Sequence, residues 1–214
     1  MKKEESLQNR QAVPARRTSV NVRYMAVTAM LSAVSFILMF FEFWVPFTPS
    51  FLKMDFSDLP ALIGTFTFGP VCGILVTLIK NLLHLTTTQS GGVGELSNFL
   101  LGVAFVLPAG LIYKRKRTKK GALIASLTGA VIMAISSIFI NYFLIYPFYT
   151  AFMQMDTNAI ISAYQLIIPS IDNLLEALVY INLPFTFIKA MFSVIVTFVL
   201  YKHISPILRG RNSY

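Results

Sequence analysis

Lys189 stands near the middle of the apolar stretch 177–201, where an ammonium group costs roughly 2.5–3.5 kcal/mol to insert at the centre of a membrane helix. Thr186 and Asn182 precede it by three and seven residues, so the three polar groups share one helical face. Pro184 lies between them and frees a backbone carbonyl locally. A polar stripe of this kind lines an internal cavity, or else Lys189 snorkels or forms a structural interhelical pair. Asn141, with Ser137 one turn earlier and Tyr142 beside it, offers a second polar position, and Glu95, Asn98 and Gly102 offer a third at i, i+3 and i+7. Amides donate and accept at once, which suits a ring bearing alternating carbonyls and nitrogens. The competing reading makes Asn98 and Asn141 glue between helices, and lets Lys80 and Glu95 neutralise each other at an external rim.

Other chemistries lack their parts. There is no G-x-x-x-x-G-K-[ST] and no G-x-G-x-x-G to cradle a phosphate. His84 and His203, the only histidines, fall at opposite ends of the expected bundle, and the single Cys72 excludes a disulfide framework and a cysteine-based metal cluster. With no H-E-x-x-H and no nucleophile elbow, the chain is expected to be neither an enzyme nor cofactor-dependent.

The segment 42–58, EFWVPFTPSFLKMDFSD, is too apolar for a solvated connector. Interfacial anchoring explains Trp44 alone. A lid folding over an outward-facing pocket explains the whole segment, with Met54 and Phe56 against a flat ligand. Aromatic walls with convergent amides describe a site for a planar, polar heterocycle.

The elements that must position these groups are membrane helices. Of 214 residues, 56% are hydrophobic and only 13% charged, and mean hydropathy is +0.68, far from a soluble domain. Net charge is +9, but the basic residues come in blocks: before the first apolar run, in the hinge 114–120, and after the last run. The positive-inside rule places both termini and that hinge in the cytoplasm and makes nucleic-acid binding the weaker reading. We expect an all-α integral membrane protein of six helices, at 25–41, 57–68, 70–86, 95–113, 121–145 and 172–203, with a long external first loop as lid. Gly69-Pro70 divides the second helix from the third, Pro147 marks the exit of the fifth, a short amphipathic helix is expected near 160–168, and Pro206 is expected to stop the last. The domain reading is a basic cytoplasmic tail over 1–23, a substrate-binding membrane domain over 24–208 and a cytoplasmic tail over 209–214. Ala26, Ala29 and Ala33, with Ser32 between, form a small-residue stripe on the first helix that permits close approach of another helix.

Four blocks, LKMDFSDLPALIGTFTFGPVCGILVTLIKNLLHL, GGVGELSNFLLGVAFVLPAGLIYKRKR, NYFLIYPFY and INLPFTFIKAMFSVIVTFVLYKHISPIL, together resemble the riboflavin-specific S component of energy-coupling-factor (ECF) vitamin transporters, over roughly 24–208. The resemblance implies a six-helix protein of the bacterial cell membrane that captures riboflavin from outside. It implies as partners a transmembrane coupling protein and a pair of cytoplasmic ATPases, the engine this chain lacks. Position by position, Ala29 and Ala33 match the docking motif, Asn141 the helix-five asparagine that contacts the isoalloxazine, and Lys189 the lysine of P-F-x-x-x-K. Thr186 stands where many members have asparagine. The alternatives are an S component for another vitamin, a solitary proton-coupled transporter, and a membrane structural protein.

Overall fold

A computed structural model of the chain describes residues 22–49, 51–154 and 156–209. The basic tail expected over 1–23 therefore lies outside the described residues except for Val22 and Arg23, as does 210–214. The described chain is mostly helical. Helix α1 spans Val22–Met39. A two-stranded antiparallel hairpin follows, β1 (Phe43–Trp44) against β2 (Lys53–Met54), with Phe43 opposite Met54 and Trp44 opposite Lys53. The all-α expectation thus gains a small ribbon within the first connecting segment.

Helices α2 (Asp58–Phe68) and α3 (Pro70–His84) confirm the division of the second apolar stretch. Gly69 between them has φ of +101°, a conformation that only glycine adopts readily, and Pro70 opens α3 at a position where its missing N–H costs nothing. At 11 residues, α2 reaches only about 16 Å at 1.5 Å per residue, half of the ~30 Å hydrocarbon core. Every residue from Asp58 to Phe66 is buried, so α2 is a core helix enclosed by its neighbours, as a helix apolar all round must be.

Among the described residues, five helical segments are long and apolar enough to cross a membrane: Val22–Met39, Pro70–Thr87, Val93–Arg115, Lys119–Met153 and Leu174–Val199. The third is α4 (Val93–Arg115) and the fourth begins with α5 (Lys119–Ile140), whose N-cap Thr118 accepts from the Gly121 N–H. The fifth expected helix does not leave at Pro147. A π-helical turn, Asn141–Ile145, widens the backbone, and α6 (Tyr146–Met153) continues with Pro147 in its first turn. The same device recurs in the last span: α8 (Leu174–Ala177), a π-helical turn over Leu178–Asn182, then α9 (Leu183–Arg209) with Pro184 at its start. In each case the wide turn ends two residues before a proline and absorbs the hydrogen bond that the proline cannot donate. Helix α9 also runs on through Pro206 to Arg209; one lost donor in the final turn does not end it. The short amphipathic helix is α7 (Thr157–Gln165), capped by Asp156.

The main core joins α2, α3, α4, α5 and α9 around Leu62, Val76, Phe105, Met133 and Val194. A second cluster around Tyr146, Tyr164 and Leu178 ties α6, α7 and the last span together. Outside, Ile37, Phe139, Ile188 and Ile195 are about half exposed, a surface that suits lipid and would not suit water.

Candidate functional site

The two π-helical turns and the hairpin meet around a cavity of about 700 Å³, within the range of small-molecule sites. Asn98 enters from α4, Asn141 from the first π turn, Asn182 from the second, and Thr186 and Lys189 from α9. Phe51, Leu101, Met133, Tyr146 and Tyr149 supply apolar and aromatic wall. Four of the residues expected to bind ligand, Asn98, Asn141, Thr186 and Lys189, thus line one space although they span 91 positions of sequence between Asn98 and Lys189.

Met54 and Phe56 do not join them. Met54 is buried, and Phe56 packs against Phe43 and Phe192 with ring centroids 5.9 and 5.6 Å apart. Lys53 and Asp55 line the cavity instead. Within β2 the two side chains face opposite ways, and it is Lys53, not Met54, that lines the cavity. From the same segment, Phe51 and Leu52 reach the cavity, while Trp44 donates its indole N–H to the Thr48 carbonyl at 2.7 Å.

Lys189 does not face lipid. Its Nζ donates to Asp55 Oδ2 at 2.9 Å, and Asp55 Oδ1 accepts from the Ser57 N–H at 2.7 Å. Burial alone would raise the Asp55 carboxyl, but Lys189 and Lys80 hold it well below the ordinary carboxylate range. This partnership was missed in the sequence because an acid in a loop and a lysine 134 positions away have no common period. Lys80 and Glu95 are not each other's partners either. Lys80, fully buried, donates to Asp58 Oδ1 and Ser57 Oγ, both at 2.6 Å. Glu95 meets His84 Nδ1 at 2.8 Å and accepts from Thr88 and Ser90. Lys53 pairs with Glu42 at the more exposed part of the lining.

The polar groups therefore divide into two sets. The charged residues lining the cavity are paired: Glu42 with Lys53, Asp55 with Lys189, His84 with Glu95. The side chains of Asn98, Asn141 and Thr186, by contrast, hydrogen-bond to nothing among the described residues. Amides and hydroxyls left without partners at a cavity wall can serve a ligand at no cost to the fold. Among the described residues no group of three His, Cys, Asp or Glu could hold a metal ion.

The small residues Ala26, Ala29 and Ala33 are exposed on α1, whereas Ser32 is buried on the opposite side and donates to the Thr28 carbonyl at 2.8 Å. The stripe is alanine only.

A family model described as "ECF transporter, substrate-specific component" matches residues 23–201. The riboflavin transporter RibU of Staphylococcus aureus (strain TCH60) is 38% identical over 185 residues, covering 85% of this chain and 89% of the relative. The riboflavin transporter FmnP of Bacillus subtilis (strain 168) is 32% identical over 198 residues, 91% and 98% of the two chains. A solved structure of the S component of a bacterial ECF transporter is similar with a TM-score of 0.69 and 34% identity, over 88% of this chain and 98% of that one.

Proposed function

This chain belongs to the family of ECF transporter substrate-specific components, and from that premise we propose that it captures riboflavin from outside the cell for ATP-driven import. As a member it is a multi-pass protein of the bacterial membrane and not an enzyme. The observation that carries the riboflavin reading is the set of unpartnered polar side chains, Asn98, Asn141 and Thr186, around a cavity whose charges are paired. A neutral, flat, polar heterocycle fits such a wall: amides take its carbonyl and ring-nitrogen edge, and Phe51, Met133 and Tyr149 pack on its faces. The names of the relatives from Staphylococcus aureus and Bacillus subtilis point to the same ligand.

In this reading Lys189 keeps Asp55 on one of its three N–H groups and offers the others to the ligand. Both termini and the 114–120 hinge face the cytoplasm, the short α2 joins the five long helices as a sixth, partial traverse leading into α3, and the segment 42–58 closes over the loaded cavity. The exposed alanines 29 and 33 dock against a transmembrane coupling protein, and a pair of cytoplasmic ATPases supplies the work, since the chain has no nucleotide-binding loop of its own.

The test is direct. Purified protein should be yellow, and it should quench the fluorescence of added riboflavin. A colourless preparation that leaves riboflavin fluorescence unchanged, yet is stabilised by thiamine, biotin or a folate, would replace the ligand while leaving the family in place.

A further inference from the structure

Asn182 is 1% exposed, lines the cavity, and belongs to a closed ring of three side chains. The Tyr164 hydroxyl donates to Asn182 Oδ1 at 2.6 Å, Asn182 Nδ2 donates to the Tyr146 hydroxyl at 3.4 Å, and the two tyrosine hydroxyls bond to each other. In this ring each member donates once and accepts once. The ring draws on three separate elements: Tyr146 opens α6, Tyr164 lies in the last turn of α7, and Asn182 ends the second π-helical turn. Tyr164 itself is fully buried behind the cavity wall. It packs edge-on against Phe51 of the hairpin segment, with ring centroids 5.7 Å apart.

The ring leaves one hydrogen of the amide unspent. An amide nitrogen carries two hydrogens, and Tyr146 takes one. Its oxygen is held by a phenol that burial raises far above its ordinary pKa, so Tyr164 keeps its proton at any physiological pH. The ring can also run in the reverse sense with the amide turned over, and in both senses the amide spends one N–H and its oxygen on the two tyrosines and keeps one N–H. The amide therefore has one N–H still to give, one helical turn from Thr186 and two from Lys189.

We infer that Asn182 is a further ligand-binding donor, recognising an acceptor oxygen or nitrogen of the bound heterocycle, and that Tyr164 is the positioning residue which, from the external helix α7, holds that donor in place. The inference rests on the riboflavin reading and adds α7 to the site, an element whose own side chains do not line the cavity.

A double-mutant cycle read by flavin fluorescence quenching tests it. Tyr164→Phe removes one hydroxyl and keeps the ring packing, and it should weaken riboflavin binding about five- to tenfold, the equivalent of one buried hydrogen bond. Asn182→Ala should weaken binding at least as much, and adding Tyr164→Phe to it should cost nothing more, because the amide to be positioned is gone. Equal losses from Tyr164→Phe in both backgrounds, or no loss in the first, would overturn the inference and leave the tyrosines as packing. Where Asn182→Ala does not fold, Tyr146→Phe takes its place. It breaks the same ring, so the double phenylalanine variant should bind no worse than the weaker single one, and additive losses would again overturn the inference. If the unaltered chain fails to quench riboflavin, the riboflavin reading falls and this inference with it. Quenching by the unaltered chain alongside additive variants removes the inference alone.

Discussion

Asp55 and Lys189 form a pair in which neither side chain is more than 11% exposed, so removing one partner leaves a charge that water cannot fully solvate. Asp55→Asn should therefore destabilise the unliganded protein by about 3 kcal/mol, read as a lower unfolding midpoint in detergent, and Asp55→Asn with Lys189→Met should recover most of that loss. The pH dependence follows from the sign of the shift. The Asp55 carboxyl is held below its unfolded value, so its contribution is fully present above about pH 5 and declines as pH falls below about 4. The unfolding midpoint should show no Asp55-dependent change between pH 5 and 8, and its acid decline should be shallower in Asp55→Asn. Asn141 behaves differently, because its side chain has no partner among the described residues. Asn141→Ala should leave the unliganded midpoint unchanged while weakening riboflavin binding by about 1–3 kcal/mol. A lowered midpoint with unchanged affinity would assign Asn141 to the fold instead.

At the scale of elements, helices α4 and α5 approach so closely that a Cβ on Gly129 would lie 2.6 Å from the Phe105 carbonyl oxygen. That obstacle is backbone, so no rotamer change relieves it, and Gly129→Ala should cost about 1–3 kcal/mol in unfolding measurements. The two π-helical turns matter in a different way. Each precedes a proline by two residues and each carries a cavity-lining asparagine, Asn141 at the start of one and Asn182 at the end of the other. A regular helix continued through either segment would rotate every later side chain by roughly 100° per residue of register. The prolines are plain in the sequence, where Pro147 signals an exit and Pro184 a loosened backbone. That they are accommodated by widened turns depends on packing against neighbouring helices, which no local pattern records.

For the whole molecule, binding and transport should separate. Ala29→Leu and Ala33→Leu enlarge an exposed face of α1, and neither residue lines the cavity. Riboflavin quenching by the purified variants should match the unaltered chain, while cellular uptake should be lost; uptake that persists would remove these alanines from the docking surface. Much of this architecture was open to reading from composition alone. Apolar runs, charged blocks and Gly-Pro punctuation fix where a chain enters and leaves the membrane, because the cost of burying charge and unpaired backbone is paid locally, residue by residue. The same local logic singled out Lys189 and the amides at 98 and 141, since polar groups in apolar helices need a reason. What the linear order could not supply was the partner of each: Asp55 for Lys189, Asp58 for Lys80, His84 for Glu95, Tyr164 for Asn182. Nor could it say which side chains of the hairpin segment face inward. Those pairings join residues on different elements, and their energies depend on distances of a few ångströms that exist only once the helices have packed.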